Sequence, residues 1–111
     1  FPSIRFEHFL TLLKNAQLMI GNSSAGVREM PFYGLPSINI GNRQNNRAKA
    51  NSIINIQEEK VAIINAIESA LVRSCTVEKE FGSGNSAELF IQEINNEYIW
   101  RTSCQKNFVD N

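Results

Sequence analysis

The stretch LMIGNSSAGVREMPFYGLPSINIGNRQNNR (Leu18–Arg47) decides the fold. It holds two short apolar runs, Leu18–Ile20 and Ser37–Ile40. Ala16 and Gly21-Asn22 bound the first; Pro36 and Gly41 bound the second. Runs this short, apolar on both faces, suit buried parallel strands better than helices. Between them Ala25–Tyr33 reads as a short helix that carries Pro31 early and is ended by Gly34 and then Pro36. Strand, helix and strand in that order make the repeating unit of a parallel α/β sheet.

The alternation continues outward. Phe6, Phe9, Leu10 and Leu13 keep the i, i+3, i+4, i+7 spacing of one buried stripe, which predicts an amphipathic helix over Arg5–Asn15. Ser52–Ile56 predicts a third strand. Glu58–Arg73 then predicts a helix that buries Ile64, Ile67 and Leu71 and sets Glu58 and Glu59 at its positive N-terminal end. Ala87, Phe90, Ile91, Ile94 and Tyr98 mark a last helix, capped by Ser86. The expected fold class is α/β, a parallel sheet with flanking helices. Three strands make a thin sheet with exposed edges, and the chain opens on Phe1 rather than Met. Both features lead to the expectation of a piece of a longer polypeptide.

With 111 residues, the chain suits one domain. A domain of this size buries roughly two-thirds of its extended surface, enough for a core. Its formal charge of zero excludes long-range attraction for nucleic acid or an anionic membrane, so any bound anion needs a local site. Cys75 and Cys104 lack CxxC spacing and read as buried or idle cytosolic thiols, with a disulfide or metal role as the alternative. No apolar run nears the roughly 20 residues of a membrane span, and no signal-peptide pattern opens the chain. The expected location is cytoplasmic, and no metal or cofactor is expected.

Ligands of open parallel sheets gather at the carboxyl ends of the strands, where Gly21–Gly26 lies. Gly21 and Gly26 would let the backbone turn sharply and approach a ligand closely. Asn22, Ser23 and Ser24 offer small hydrogen-bonding groups, and the following helix directs free N–H groups at whatever sits there. Phosphate is the natural guest. A well-made helix cap is an equally good reading of the same residues. Glu29, one turn into the helix, could accept two hydrogen bonds from a ribose diol, or serve only as a first-turn charge on the dipole. In Gly41–Arg47 (GNRQNNR), Arg43 and Arg47 can reach phosphate oxygens as forked donors, or line a solvated loop.

GNSSAGVRE followed by PFYGLPSINIGNRQNNR resembles the C-terminal domain of hydrolysing UDP-N-acetylglucosamine 2-epimerases. IRFEHFLTLLKNAQLMIGNSS and FGSGNSAELFIQEI are similar to the same family, so the resemblance runs over about Ile4–Ile94. It implies a partial Rossmann-like, UDP-binding C-terminal domain over residues 1–100, followed by a tail over 101–111. The whole would be a two-domain fold of the glycosyltransferase-B type. By the same resemblance Ser23 and Ser24 contact the diphosphate, Glu29 holds the ribose hydroxyls, Arg43 of the GxRQ segment lies near the nucleotide, and the backbone of Ile4 touches uracil. His8 matches no family site and reads as a surface or rim residue.

The family's reaction breaks the sugar C1–O bond to UDP with loss of the C2 proton, then hydrates the glycal-like intermediate to N-acetylmannosamine, releasing UDP for sialic-acid-type sugar biosynthesis. Donors aimed at the departing diphosphate lower that barrier. The acid/base groups for C2 are expected upstream of this fragment, so it is expected to be inactive alone. The implied partner is a UDP-sugar, with a homo-oligomer expected of the full-length enzyme. Other readings are a diacetamido (bacillosamine-type) UDP-sugar as substrate, a UDP-sugar glycosyltransferase, or a nucleotide-binding module without chemistry.

Overall fold

Side chains along a strand alternate between its two faces, and Ser37–Ile40 shows what that does here. The computed structural model describes residues 3–103. Its sheet has three parallel strands, β1 (Met19–Gly21), β2 (Ser37–Ile40) and β3 (Ile53–Ile56), in the order β1-β2-β3. Helices α1 (Phe6–Lys14), α2 (Ala25–Phe32) and α3 (Lys60–Val72) flank it. The Ser37 hydroxyl donates to the Gly26 carbonyl of α2, while Ile38 packs with Ala66 and Ala70 of α3 on the opposite face. The sheet is therefore covered on both faces by helices, the layering of a Rossmann-like α/β fold.

Each layer has its own core. Leu13 of α1 meets Ala25 and Met30 of α2, with Phe9, Leu10, Met19, Tyr33 and Leu35 around them. Met30 is fully buried at 0% exposure. On the other face α3 packs close through Ala66 and Ala70; of the expected stripe Ile67 packs there, whereas Ile64 and Leu71 are 46% and 52% exposed. The helix KVAIINAIESALV is apolar nearly all round. Periodicity therefore gave no unique face, and the small alanines allow the closest approach to Ile38.

The end of α2 explains the turn into β2. Gly34 has φ +65°, the left-handed conformation in which glycine is least strained. Leu35 N–H donates to the Met30 carbonyl and Gly34 N–H to that of Pro31, both within 3.1 Å. This is the Schellman arrangement, completed by packing of Leu35 against Met30. Pro31 lies in the last turn of α2 rather than early in it. Beyond α3 the chain returns as a strap along the end of α2, where Glu78 N–H donates to the Pro31 carbonyl at 2.9 Å. The Glu78 carboxylate accepts from Asn51 N–H at 2.8 Å and Ser52 N–H at 3.4 Å, and Glu80 accepts from Lys49 N–H at 3.0 Å. Both carboxylates thus hold the residues that lead into β3.

The chain divides into two compact units, Phe1–Phe81 and Gly82–Asn111. The second contains α4 (Ser86–Ile94) and α5 (Glu97–Trp100). The last expected helix is broken at Asn95-Asn96, which places Tyr98 on α5, because Asn96 accepts from Tyr98 N–H at 3.1 Å and starts a new helix. Asn85 rather than Ser86 stands at the N-cap of α4. Cys104 and most of the expected tail lie outside the described residues. Cys75 is a free, half-buried thiol. Among the described residues no helix is long and apolar enough to cross a membrane.

Candidate functional site

Parallel strands all end on one edge of the sheet, so the loops after β1 and β2 are carried to the same end. Gly21 closes β1 with φ +146°, and an added Cβ would meet no atom within 4 Å. The chain then turns through Asn22 and Ser23 into α2. Ser23 is exposed, and its hydroxyl oxygen accepts from Ala25 N–H at 3.3 Å. Its carbonyl accepts from Gly26 N–H, and that of Ser24 accepts from Val27 and Arg28 N–H. Ser24 occupies the N-cap position without making a side-chain cap bond. The cap and anion readings of this loop thus divide between atoms. The Ser23 hydroxyl makes a long capping bond, while the Ser24 hydroxyl and the amides of Ser23 and Ser24 have no hydrogen-bond partner among the described residues. Free donors at a helix N-terminus, facing the positive end of its dipole, suit an anion.

Gly26 does not serve as the sequence suggests. It is buried inside α2 with an ordinary negative φ, and a Cβ there would face Ser37 at 3.6 Å rather than a ligand. Its smallness lets α2 lie close on β2. Glu29 is half-buried on α2, and its carboxylate has no hydrogen bond or ion pair among the described residues. Arg43 is exposed in the loop after β2, likewise without a partner. Ile4 is exposed just ahead of α1, and no hydrogen bond among the described residues ties it to either loop. His8 is exposed on α1, as expected of a surface histidine.

The residue that joins the two loops is one to which the sequence reading assigned no role. Gln44 is only 3% exposed. Its Nε2 donates to the Asn22 carbonyl at 2.8 Å, and its Oε1 accepts from Arg47 Nη1 at 3.2 Å. One amide therefore bridges the turn before α2 and the arginine-bearing loop. The signal available in the sequence was a glutamine between two arginines, which polarity alone placed in solvent. The 42–47 loop folds inward through Asn45 N–H to the Asn42 carbonyl and a left-handed Asn46 at φ 61°. Beneath it, Val27, Gln44, Asn46, Lys49, Ile53 and Asn55 help line a cavity of about 250 Å³. Asn39 and Asn55 share a 2.7 Å hydrogen bond on the adjoining sheet face. Among the described residues no group of three His, Cys, Asp or Glu side chains could hold a metal.

This arrangement gathers donors suited to an anion, and α2 carries in Glu29 a carboxylate without a partner among the described residues. The sequence profile of the UDP-N-acetylglucosamine 2-epimerase family matches residues 1–95. The chain belongs to this family. It is 48% identical to the UDP-N-acetylglucosamine 2-epimerase of Neisseria meningitidis serogroup B over 99% of this chain and 30% of that protein. It is similar to the GDP/UDP-N,N'-diacetylbacillosamine 2-epimerase (hydrolyzing) of Campylobacter jejuni, 46% identical over 49% of this chain and 14% of the relative. The polysialic acid biosynthesis protein P7 of Escherichia coli is 43% identical over 59% of this chain and 17% of its own length. The chain thus spans less than a third of the length of these relatives.

Proposed function

We propose that this chain is the nucleotide-gripping part of a hydrolysing UDP-N-acetylglucosamine 2-epimerase that forms N-acetylmannosamine and UDP in sialic-acid-type sugar biosynthesis. The observation that carries the reading is the junction of the two loops through Gln44, which sets free amides and arginines at one end of the sheet. In this reading the Ser23 and Ser24 hydroxyls and amides, with Arg43, hold the diphosphate. Glu29 accepts from the ribose hydroxyls, and the backbone at Ile4 meets uracil. As the C1–O bond breaks, negative charge grows on the β-phosphate, and donors already aimed at it stabilise that charge without reorganising. The groups that move the C2 proton and deliver water lie in the rest of the polypeptide, and the 111 residues alone catalyse nothing. The protein works in the cytoplasm.

The test incubates the complete gene product with UDP-N-acetylglucosamine and follows N-acetylmannosamine and UDP. Both products are expected without an added acceptor, whereas a glycosyltransferase would need one and a binding module would release nothing. A parallel incubation with the UDP-linked diacetamido sugar tests the second reading, which the similarity to diacetylbacillosamine 2-epimerases favours. Ser23→Ala, Glu29→Ala and Arg43→Ala are each expected to weaken UDP binding roughly ten- to hundredfold, the effect of losing a charged hydrogen-bonded contact. Unchanged UDP affinity in all three folded variants refutes the site.

A further inference from the structure

We infer that Gln44 is a positioning residue that turns the amides of the Asn22–Ser24 segment toward the phosphates and holds Arg47 beside them. The inference rests on the UDP reading above and deepens it. Gln44 is nearly inaccessible, and its two hydrogen bonds divide, one within its own loop and one across to the turn before α2. Nε2 crosses to the Asn22 carbonyl at 2.8 Å, and Oε1 holds Arg47 Nη1 at 3.2 Å. In a trans peptide the C=O and N–H lie in one plane and point in opposite directions across the C–N bond. Fixing the Asn22 carbonyl toward Gln44 therefore turns the Ser23 N–H away from Gln44. That amide and the next, on Ser24, have no hydrogen-bond partner among the described residues.

The other end of the same amide constrains the guanidinium of Arg47. Without it Arg47, whose residue is exposed, would be a long side chain spread over many rotamers, and fixing it on a ligand would cost rotamer entropy. Bonded to a buried acceptor, it starts from fewer states. A primary amide of glutamine length is the group that can donate to Asn22 and accept from Arg47 at once. A carboxylate in its place still accepts from Arg47 but faces the Asn22 carbonyl with no donor. An apolar side chain of similar volume does neither. The loops' mutual register thus depends on the amide itself, not on its bulk.

The test is a comparison of ligands on the complete gene product. Gln44→Leu and Gln44→Glu are titrated by NMR or calorimetry with UDP and with uridine, which has the base and ribose but no phosphate. The expected result is a loss of UDP affinity of about tenfold in both variants, the effect of misplacing one or two hydrogen bonds to a charged ligand, with uridine binding unchanged. Arg47→Ala, which removes the guanidinium itself and spares the bond to Asn22, is expected to lose UDP affinity at least as strongly, again with uridine binding unchanged. Should Gln44→Leu fail to fold, Gln44→Glu carries the same comparison. Equal losses for UDP and uridine would mean general loosening and overturn the inference, as would unchanged UDP affinity in variants of an otherwise UDP-binding protein. A wild-type protein that binds no UDP would instead overturn the underlying functional reading, so the two failures are distinct.

Discussion

Glu78 offers the sharpest test of how the 41–52 segment is held. It lies on the strap after α3, half-buried, with its own N–H bonded to Pro31 and its carboxylate on the amides of Asn51 and Ser52. The 2.8 Å bond to Asn51 is a full charge-assisted hydrogen bond; the 3.4 Å bond to Ser52 adds little. A hydrogen bond to a charged group contributes about 1.5–3 kcal/mol, and the partial exposure of Glu78 argues for the lower part of that range, about 1.5–2 kcal/mol. In Glu78→Ala the local opening of this segment should therefore become roughly ten- to thirtyfold more frequent. Glu78→Gln keeps an acceptor oxygen without the charge. Neutral hydrogen bonds are about half as strong, so about fivefold is expected there. Glu80→Ala is the control, because Glu80 is itself exposed and its bond goes to Lys49 N–H, not to Asn51 or Ser52, and substitutions at such exposed sites change stability by about 0.5 kcal/mol or less. Amide hydrogen exchange resolved at Asn51 and Ser52 reads all three variants directly. Unchanged exchange in Glu78→Ala, or an equal rise in Glu80→Ala, would show that water replaces the carboxylate without loss and that the strap does not hold the loop.

Two glycines give opposite expectations. Gly34→Ala must place a Cβ at φ +65° and 3.2 Å from the Val77 backbone nitrogen; a left-handed non-glycine residue alone costs about 1–2 kcal/mol. Denaturant titration should show a loss of at least that size, and the strap amides should exchange faster. Gly26→Ala meets its nearest atom at 3.6 Å, an ordinary contact, and replaces glycine inside a helix. Stability should stay constant or rise by up to about 1 kcal/mol. UDP affinity should not change, since the added methyl faces β2. A clear loss of UDP binding would restore Gly26 to the ligand side of the loop.

Much of the fold was legible because local patterns agreed with the global arrangement. The two apolar runs with turn residues on both sides became β1 and β2, displaced by at most one residue, and the helix stop at Gly34 appeared where the sequence put it. The buried face of α3 was not legible, since its bulky and small apolar residues cover almost the whole helix and only the sheet chooses between them. The break at Asn95-Asn96 was masked by Tyr98, which keeps helical spacing with Ile94 across it. At the candidate site, Ser23, Ser24, Glu29 and Arg43 fall on the elements the sequence assigned to them. Gln44 was hidden for a physical reason. A glutamine is normally a surface residue, and it is buried here only because two partners from different loops satisfy it.

The kinds of group gathered at this end of the sheet bear on how the reaction is divided. Amides, hydroxyls and guanidinium groups donate hydrogen bonds; none of them is suited to remove a proton from carbon near neutral pH. Glu29 sits on the helix that begins at the proposed diphosphate site, and a carboxylate matches the vicinal hydroxyls of ribose as a double acceptor. Such a set can stabilise a leaving group whose charge increases, and it can hold the nucleoside still while that happens. The parallel topology brings the donors together, and Gln44 keeps them in register. On the function proposed above, a part of the enzyme built this way contributes to catalysis through the stability of departing UDP. Substitutions in these loops should therefore act on the C1–O cleavage step and leave hydration of the glycal-like intermediate unaffected.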